Sequence, residues 1–294
     1  MRSARLTMLP KTISHWLSKI PASLNKRDAE IILANLLGKN QTFVIAHPEY
    51  LVSFFIGLKF RALINKRTNG WPLAYLIGHK EFFGLDFLVN KHTLIPRPET
   101  EILVEAAIEK ITKSKDFNTI LIDIGTGSGC IPISIIKNLP ANIVTGYALD
   151  ISEKALKVAQ KNAAQLQAHL EFLLSNLLAD FPIHILSSAE QIIITANLPY
   201  LTAEEFKNES TIQHEPYSAL VAKENGLALY FELLTQLKNL PEKKNRAVTL
   251  FCEINPNQVT SLQKAINNIF PQAFFLVRRD LAGLDRVLTA SWIG

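Results

Sequence analysis

Cysteine is nearly absent: the 294 residues contain only Cys130 and Cys252. That excludes a disulfide framework and a cysteine-based zinc site, and it fits a reduced, cytoplasmic setting. Glycine (12) and proline (14) are too sparse for a collagen-like or low-complexity chain. Long apolar runs are missing too. The best candidate, Leu51 to Leu58, falls far short of the roughly 20 residues that cross a bilayer, so no membrane association is expected. Near the start, Arg2 and Arg5 precede Lys11, His15 and Lys19, which interrupt any apolar signal segment. No fixed-period repeat occurs. The seven histidines show no metal-ligand spacing, so no metal is expected.

What is present is apolar material for a core, 48% of the residues, and an uneven charge. Residues 1–75 hold 11 Lys and Arg against 3 Asp and Glu, whereas the remainder holds 20 against 23. A basic front joined to a mildly acidic remainder suggests two domains with different partners.

The first part reads as helices. Residues 28–37 have helical spacing and stop at Gly38. Pro48 stands where a first helical position would be, with a helix running to Asn69-Gly70. On it Leu51, Phe54, Phe55, Leu58 and Ala62 recur at three and four, the spacing of a buried face. Phe82 to Val89 reads as a hairpin between the domains. Ile95-Pro-Arg-Pro-Glu-Thr-Glu101 is a rigid, non-helical loop, with Glu99 or Thr100 placed to cap a helix through Ile111. From residue 119 strands and helices alternate. Strands are expected at 119–124, 143–149, 170–174, 191–196 and 247–254, with a closing hairpin at 273–278 and 286–292. This pattern predicts an α/β fold: an open parallel sheet, helices on both faces and an antiparallel edge.

Three strand ends carry chemistry. Asp123-Ile-Gly125-Thr126-Gly127-Ser128-Gly129 follows the first strand, and its glycines allow a tight turn and close approach to a ligand. It is not a P-loop, since no Gly-Lys-Ser/Thr follows. Asp150 ends the next strand, where a carboxylate can accept from two ribose hydroxyls or cap the following helix. Asn176 and Leu177 follow the third strand and suit an adenine edge and face, or an ordinary turn. The fourth ends in Asn197-Leu198-Pro199-Tyr200. A planar amide or aromatic amine has a delocalised, poorly nucleophilic lone pair. The Asn197 side-chain oxygen and the Leu198 carbonyl could bind its two N–H groups. Pro199 would fix the backbone, and Tyr200 would supply a flat wall.

The chain resembles the HemK/PrmC family of glutamine-N5 methyltransferases that modify peptide chain release factors. The resemblance rests on residues 72–78 and 81–87, on Ile95 to Glu101, on Asp123 to Gly129 and Asp150-Ile-Ser152, and on residues 197–200, 215–220 and 280–286. It implies a seven-strand Rossmann-like S-adenosylmethionine-dependent methyltransferase domain (96–294), a hairpin linker (76–95) and a small helical substrate-docking domain (1–75). By the same resemblance, Gly125, Thr126, Gly127, Ser128, Gly129, Asp150, Asn176, Leu177 and Asn197 bind the cofactor S-adenosyl-L-methionine. Asn197, Leu198, Pro199 and Tyr200 hold the glutamine of a Gly-Gly-Gln loop in a class-1 release factor. A monomer is expected.

Three positions depart from the family pattern. Leu198 replaces a proline, Asn176 an aspartate and Asn255 a glycine. The tetrad Asn-Leu-Pro-Tyr also occurs in adenine-N6 methyltransferases acting on ribosomal RNA. That class, ribosomal-protein glutamine methyltransferases and a non-catalytic binding module are therefore the alternatives.

Overall fold

The computed structural model describes residues 9–114, 117–241 and 243–294. Two compact units are present. One comprises the chain up to Gly78 together with Ser210–His214; the other comprises His79–Glu209 and Glu215–Gly294.

The first unit is helical, with helices at Ile13–Leu17, Lys26–Leu37, Gln41–Ala46, Phe54–Thr68 and Leu73–Ile77. Asn25, Asn40 and Ser53 cap three of them, each side-chain oxygen accepting a free first-turn N–H. The Lys26–Leu37 helix ends at Gly38 in the left-handed conformation, as expected. The long helix departs from expectation. It starts at Phe54, not near Pro48, because Leu51 and Val52 are drawn into a short antiparallel pairing with Thr12 and Lys11. The expected buried stripe is also wrong. Leu51, Phe55, Leu58 and Ala62 are exposed, and Gly57, Phe60 and Ile64 face the core. Packing chose between two apolar stripes. The Trp16 indole lies against Gly57, where a built Cβ would fall 1.8 Å from Cζ2. Arg67 ties this helix to the Lys26–Leu37 helix, its Nε donating to Asp28 at 2.7 Å. Within this unit His214 stacks on Trp71, with ring centroids 4.8 Å apart, and donates through Nε2 to the Asn69 carbonyl at 2.9 Å.

The second unit opens with the expected hairpin, His79–Phe82 and Leu85–Leu88, turning at Phe83-Gly84. Its sheet has seven strands: β1 (Thr119–Ile124), β2 (Val144–Asp150), β3 (Glu171–Leu174), β4 (Gln191–Ala196), β5 (Ala247–Glu253), β6 (Phe274–Arg279) and β7 (Asp285–Ile293). The spatial order is β6-β7-β5-β4-β1-β2-β3. From β3 to β5 the pairing is parallel. β7 runs antiparallel to β5 and to β6, so the closing hairpin supplies the expected antiparallel element.

Alternation along the buried strands sorts the two faces. Ile120, Ile122 and Ile124 pack with Tyr230, Leu233, Leu262 and Ile266 from the helices Ala228–Lys238 and Val259–Ile269. Leu121 and Ile193 face Leu103, Ile131 and Ala163 from the helices Glu101–Lys113, Cys130–Lys137 and Glu153–Leu166. The ordering of β1 between β4 and β2 leaves a crevice beyond their carboxyl ends, where ligands of such sheets bind.

Candidate active site

That crevice holds a cavity of about 410 Å³, within the range of small-molecule sites. Gly125, Thr126, Gly127, Ser128, Asp150, Asn176, Leu177, Asn197, Leu198 and Pro199 all line it. Of the expected site residues, Gly129 and Tyr200 do not. Gly129 is the packing glycine of the loop: a Cβ there would lie 2.9 Å from Ile133 Cδ1 and 3.1 Å from Ala159 Cβ. Gly125 and Gly127 both have positive φ, 70° and 56°, and turn the loop along the cavity wall.

Asp150 ends β2 with one backbone donor on each oxygen. Gly127 N donates to Oδ2 at 2.9 Å and Ser152 N to Oδ1 at 2.8 Å. The Ile151 N–H also acts on this carboxylate, whose two oxygens together offer about four acceptor sites, so acceptor capacity remains for a further donor. Burial pushes the Asp150 carboxyl above its usual range, against these backbone bonds. The alternative role falls elsewhere: Ser152, not Asp150, caps the helix, accepting from Ala155 N. Next along the chain Ile151 lines the cavity with its apolar side chain 70% exposed, a residue that reading the sequence passed over. Asn176 donates its amide N–H to Glu232 Oε1 at 2.8 Å. Leu177 holds its side chain buried from a left-handed backbone, φ 54°. Beneath the glycine loop Asp123 accepts from Thr195 Oγ1 at 2.6 Å, and burial pushes its carboxyl up to about 7.

The Asn197–Tyr200 segment follows β4 and is braced from several sides. The Asn197 side chain donates through Nδ2 to Thr100 Oγ1 at 3.2 Å, which leaves Oδ1 as the end without that tie. The buried Tyr230 hydroxyl lies 2.6 Å from the Glu253 carbonyl and 3.1 Å from the Ala196 carbonyl, and accepts from Leu198 N. It thereby joins the ends of β4 and β5. Leu198 turns its side chain towards the glycine loop, its Cδ2 lying 3.2 Å from a Cβ built on Gly125. The Tyr200 carbonyl accepts from Gln258 Nε2 at 3.0 Å, and the same nitrogen donates to Asn225 O. The Tyr200 hydroxyl faces Glu253 Oε1 at 3.5 Å. Burial pushes the Glu253 carboxyl up to about 7 and the Tyr200 hydroxyl above its usual range.

Thr100 corrects an expectation. It stands at the start of the Glu101–Lys113 helix, yet its side chain makes no capping bond there, and Pro98–Thr100 forms a 3-10 turn rather than an irregular loop. The hydroxyl is spent on Asn197 instead. Glu215 was legible only as part of a family segment. Its buried carboxylate accepts from Ile95 N at 3.0 Å and pairs with Arg97, fastening the Ile95–Glu101 loop. Asn255, the third departure, forms a reciprocal cap with Gln258. It therefore holds the residue that anchors Tyr200. Arg278 and Arg279 pair with Glu109 and Asp285. Among the described residues no group of three metal-ligating side chains occurs, and no helix is long and apolar enough to cross a membrane.

Comparison with known proteins follows the two units. Residues 12–78 match the family model of the PrmC N-terminal domain. Residues 98–199 match that of the ribosomal protein L11 methyltransferase (PrmA). A release factor glutamine methyltransferase of Bacillus anthracis is 33% identical over 274 residues, covering 90% of this chain and 93% of its own length. The chain belongs to the release factor glutamine methyltransferase family. A second member of that family, from Nitratidesulfovibrio vulgaris, is 34% identical and covers 89% of this chain and 86% of itself. Among solved structures, the human METTL16 catalytic domain in complex with a MAT2A 3′UTR hairpin superposes with a TM-score of 0.54. It is 17% identical and covers 88% of this chain and 91% of that one. It shares the Rossmann-like methyltransferase fold of this release factor glutamine methyltransferase family member.

Proposed function

We propose that the chain transfers a methyl group from S-adenosylmethionine to the side-chain N5 of the glutamine in the Gly-Gly-Gln loop of a class-1 peptide chain release factor. The observation that carries this reading is the Asn197 amide. It is tied through its nitrogen to Thr100, and it stands on the wall of a cavity shared with the glycine loop and Asp150.

The residues fit the cofactor. The carboxylate at the end of β2 keeps acceptor capacity for a ribose hydroxyl, the glycine loop gives backbone access, and Ile151 and Leu177 offer apolar surface for a base. When bound, S-adenosylmethionine supplies an electrophilic methyl group on a sulfonium centre. The chain's own part is positional. Asn197 Oδ1 and the Leu198 carbonyl accept the two N–H groups of the substrate amide and aim its nitrogen. Pro199 fixes the direction of that carbonyl. Tyr200 stands off the cavity lining, so the flat wall expected of it is not part of this reading; anchored at its carbonyl and facing Glu253 with its hydroxyl, it holds the end of the segment in place. No side chain need remove a proton before transfer; orientation and polarisation carry the rate. Leu198 is compatible with this role, because its side chain turns to Gly125 while the backbone carbonyl is retained. The basic helical unit helps dock the factor.

The test is labelled methyl transfer to a release factor, to its Gly-Gly-Ala variant and to ribosomal RNA. Label is expected on the intact factor alone; label on RNA alone would replace this reading with adenine methylation. In the same assay Asn197→Ala should lower kcat by about a hundredfold, a loss typical of removing one preorganised hydrogen-bonding group, with cofactor affinity within about threefold. Equal losses in both would refute the clamp.

A further inference from the structure

We infer that Tyr230 is a positioning residue: its hydroxyl holds the peptide plane between the two acceptors of the clamp, the task a proline ring at 198 would perform. The inference rests on the reading above, in which Asn197 Oδ1 and the Leu198 carbonyl accept the two N–H groups of the substrate amide. Those acceptors stand on either side of one peptide, that joining Asn197 to Leu198. Asn197 Oδ1 hangs from the residue before it, and the Leu198 carbonyl belongs to the residue after it. Turning the plane changes the distance and angle between them. A proline at 198 would limit that turn covalently, by fixing φ at about −65°. Leu198 has no ring to limit it. What Leu198 has, and a proline lacks, is an N–H.

That N–H donates to the Tyr230 hydroxyl at 3.4 Å. The direction of every bond at this hydroxyl is settled by its partners. The other two are carbonyls, Glu253 O at 2.6 Å and Ala196 O at 3.1 Å, and a carbonyl only accepts. They take the single hydroxyl proton, and a lone pair is left for the Leu198 N–H. The bond is long, but its setting is dry: Tyr230 is 1% exposed and Leu198 3%. A hydrogen bond in such a place is stronger than in water. The hydroxyl is itself pinned to the ends of β4 and β5, so it fixes the peptide relative to the sheet.

Three variants test this in the full chain with release factor as substrate. Tyr230→Phe keeps the ring and removes the hydroxyl. Leucic acid in place of Leu198, the α-hydroxy analogue of leucine, turns the amide into an ester and removes the N–H alone. Each should lower kcat about tenfold, the scale of one lost hydrogen bond. KM and the dissociation constant for S-adenosylhomocysteine should stay within about threefold of the parent. Leu198→Pro lacks the same N–H but carries the ring, and its kcat should exceed that of the ester by at least about threefold. In the Leu198→Pro background Tyr230→Phe should cost no more than about twofold in kcat, because no N–H is left to hold. Its urea midpoint should still fall as it does in the parent, since the two carbonyls lose their donor in both. A merely structural tyrosine would lower kcat alike in the two backgrounds. That result, an unchanged kcat in Tyr230→Phe, or a proline variant as slow as the ester would overturn the proposal. Full activity in Asn197→Ala would instead overturn the clamp reading beneath it. Should Tyr230→Phe fail to fold, the ester and proline pair at residue 198 still decides the matter.

Discussion

Gly226 faces the backbone of the substrate tetrad at close range, and replacing it with alanine is the most discriminating perturbation of the scaffold. Its φ is 82°, and a Cβ there would lie 1.9 Å from the Tyr200 carbonyl oxygen and 2.5 Å from Gln258 Nε2. Two costs add. The left-handed backbone costs a side-chain-bearing residue about 1–2 kcal/mol. The clash is with backbone and with a doubly used amide, so relief requires moving the Tyr200 carbonyl, at about 1–3 kcal/mol for forced overpacking. Gly283 separates the two costs. Its φ is 79°, but nothing lies within 4 Å of its built Cβ. Gly283→Ala should therefore lose about 1–2 kcal/mol in urea unfolding and keep its turnover. Gly226→Ala should lose about 2–5 kcal/mol and, because Tyr200 must shift, fall at least tenfold in kcat. Equal unfolding midpoints for the two variants, with full turnover in Gly226→Ala, would refute the view that Gly226 and Gln258 together hold the tetrad.

Asp150→Ala should weaken cofactor binding by about ten- to a hundredfold, the worth of charge-assisted hydrogen bonds, and titration calorimetry with S-adenosylhomocysteine would show it. An unchanged affinity would remove the ribose assignment. Gly57→Ala should destabilise the chain by about 1–3 kcal/mol by pushing a methyl into the Trp16 ring, and a Trp16→Leu background should recover part of that loss in urea unfolding. The buried Asp123 and Glu253 carboxyls both lie up at about 7, and Glu253 is faced by Glu99, Arg286, Tyr200 and Cys130. The folded state thus binds these protons more tightly than the unfolded chain. Stability should be greatest below the ordinary carboxylate range and fall as pH rises through about 7. Glu253→Gln should flatten part of that fall in denaturation curves measured from pH 5 to 8; an identical slope would contradict it.

The sheet was legible because its central strands are apolar on both faces. Thr119 to Ile124 and Gln191 to Ala196 are wholly buried, and runs of that kind bounded by turn residues leave little choice of register. The strand-end residues were legible for the same reason, since the crevice lies where those runs stop. The helical unit was less so. Leu51, Phe55 and Leu58 have the periodicity of a core face, and only the missing side chain of Gly57, filled by Trp16 from another helix, shows which stripe is buried. Thr100 was misread because a threonine before a helix is a cap by local rules, and its partner Asn197 is 97 residues away. Glu253, Tyr230 and Gln258 act on the tetrad from across the sheet end. No spacing within the chain announces such contacts.

His214 reaches back to Asn69 across 145 residues of chain. During synthesis the helical unit therefore emerges first but lacks its last contact until β1 to β4 of the other unit have followed it off the ribosome. A fragment ending at Gly78 would carry Trp71 without its stacking partner. Severing the chain between residues 78 and 210 would separate Asn69 and Trp71 from a piece that their own unit uses to finish itself.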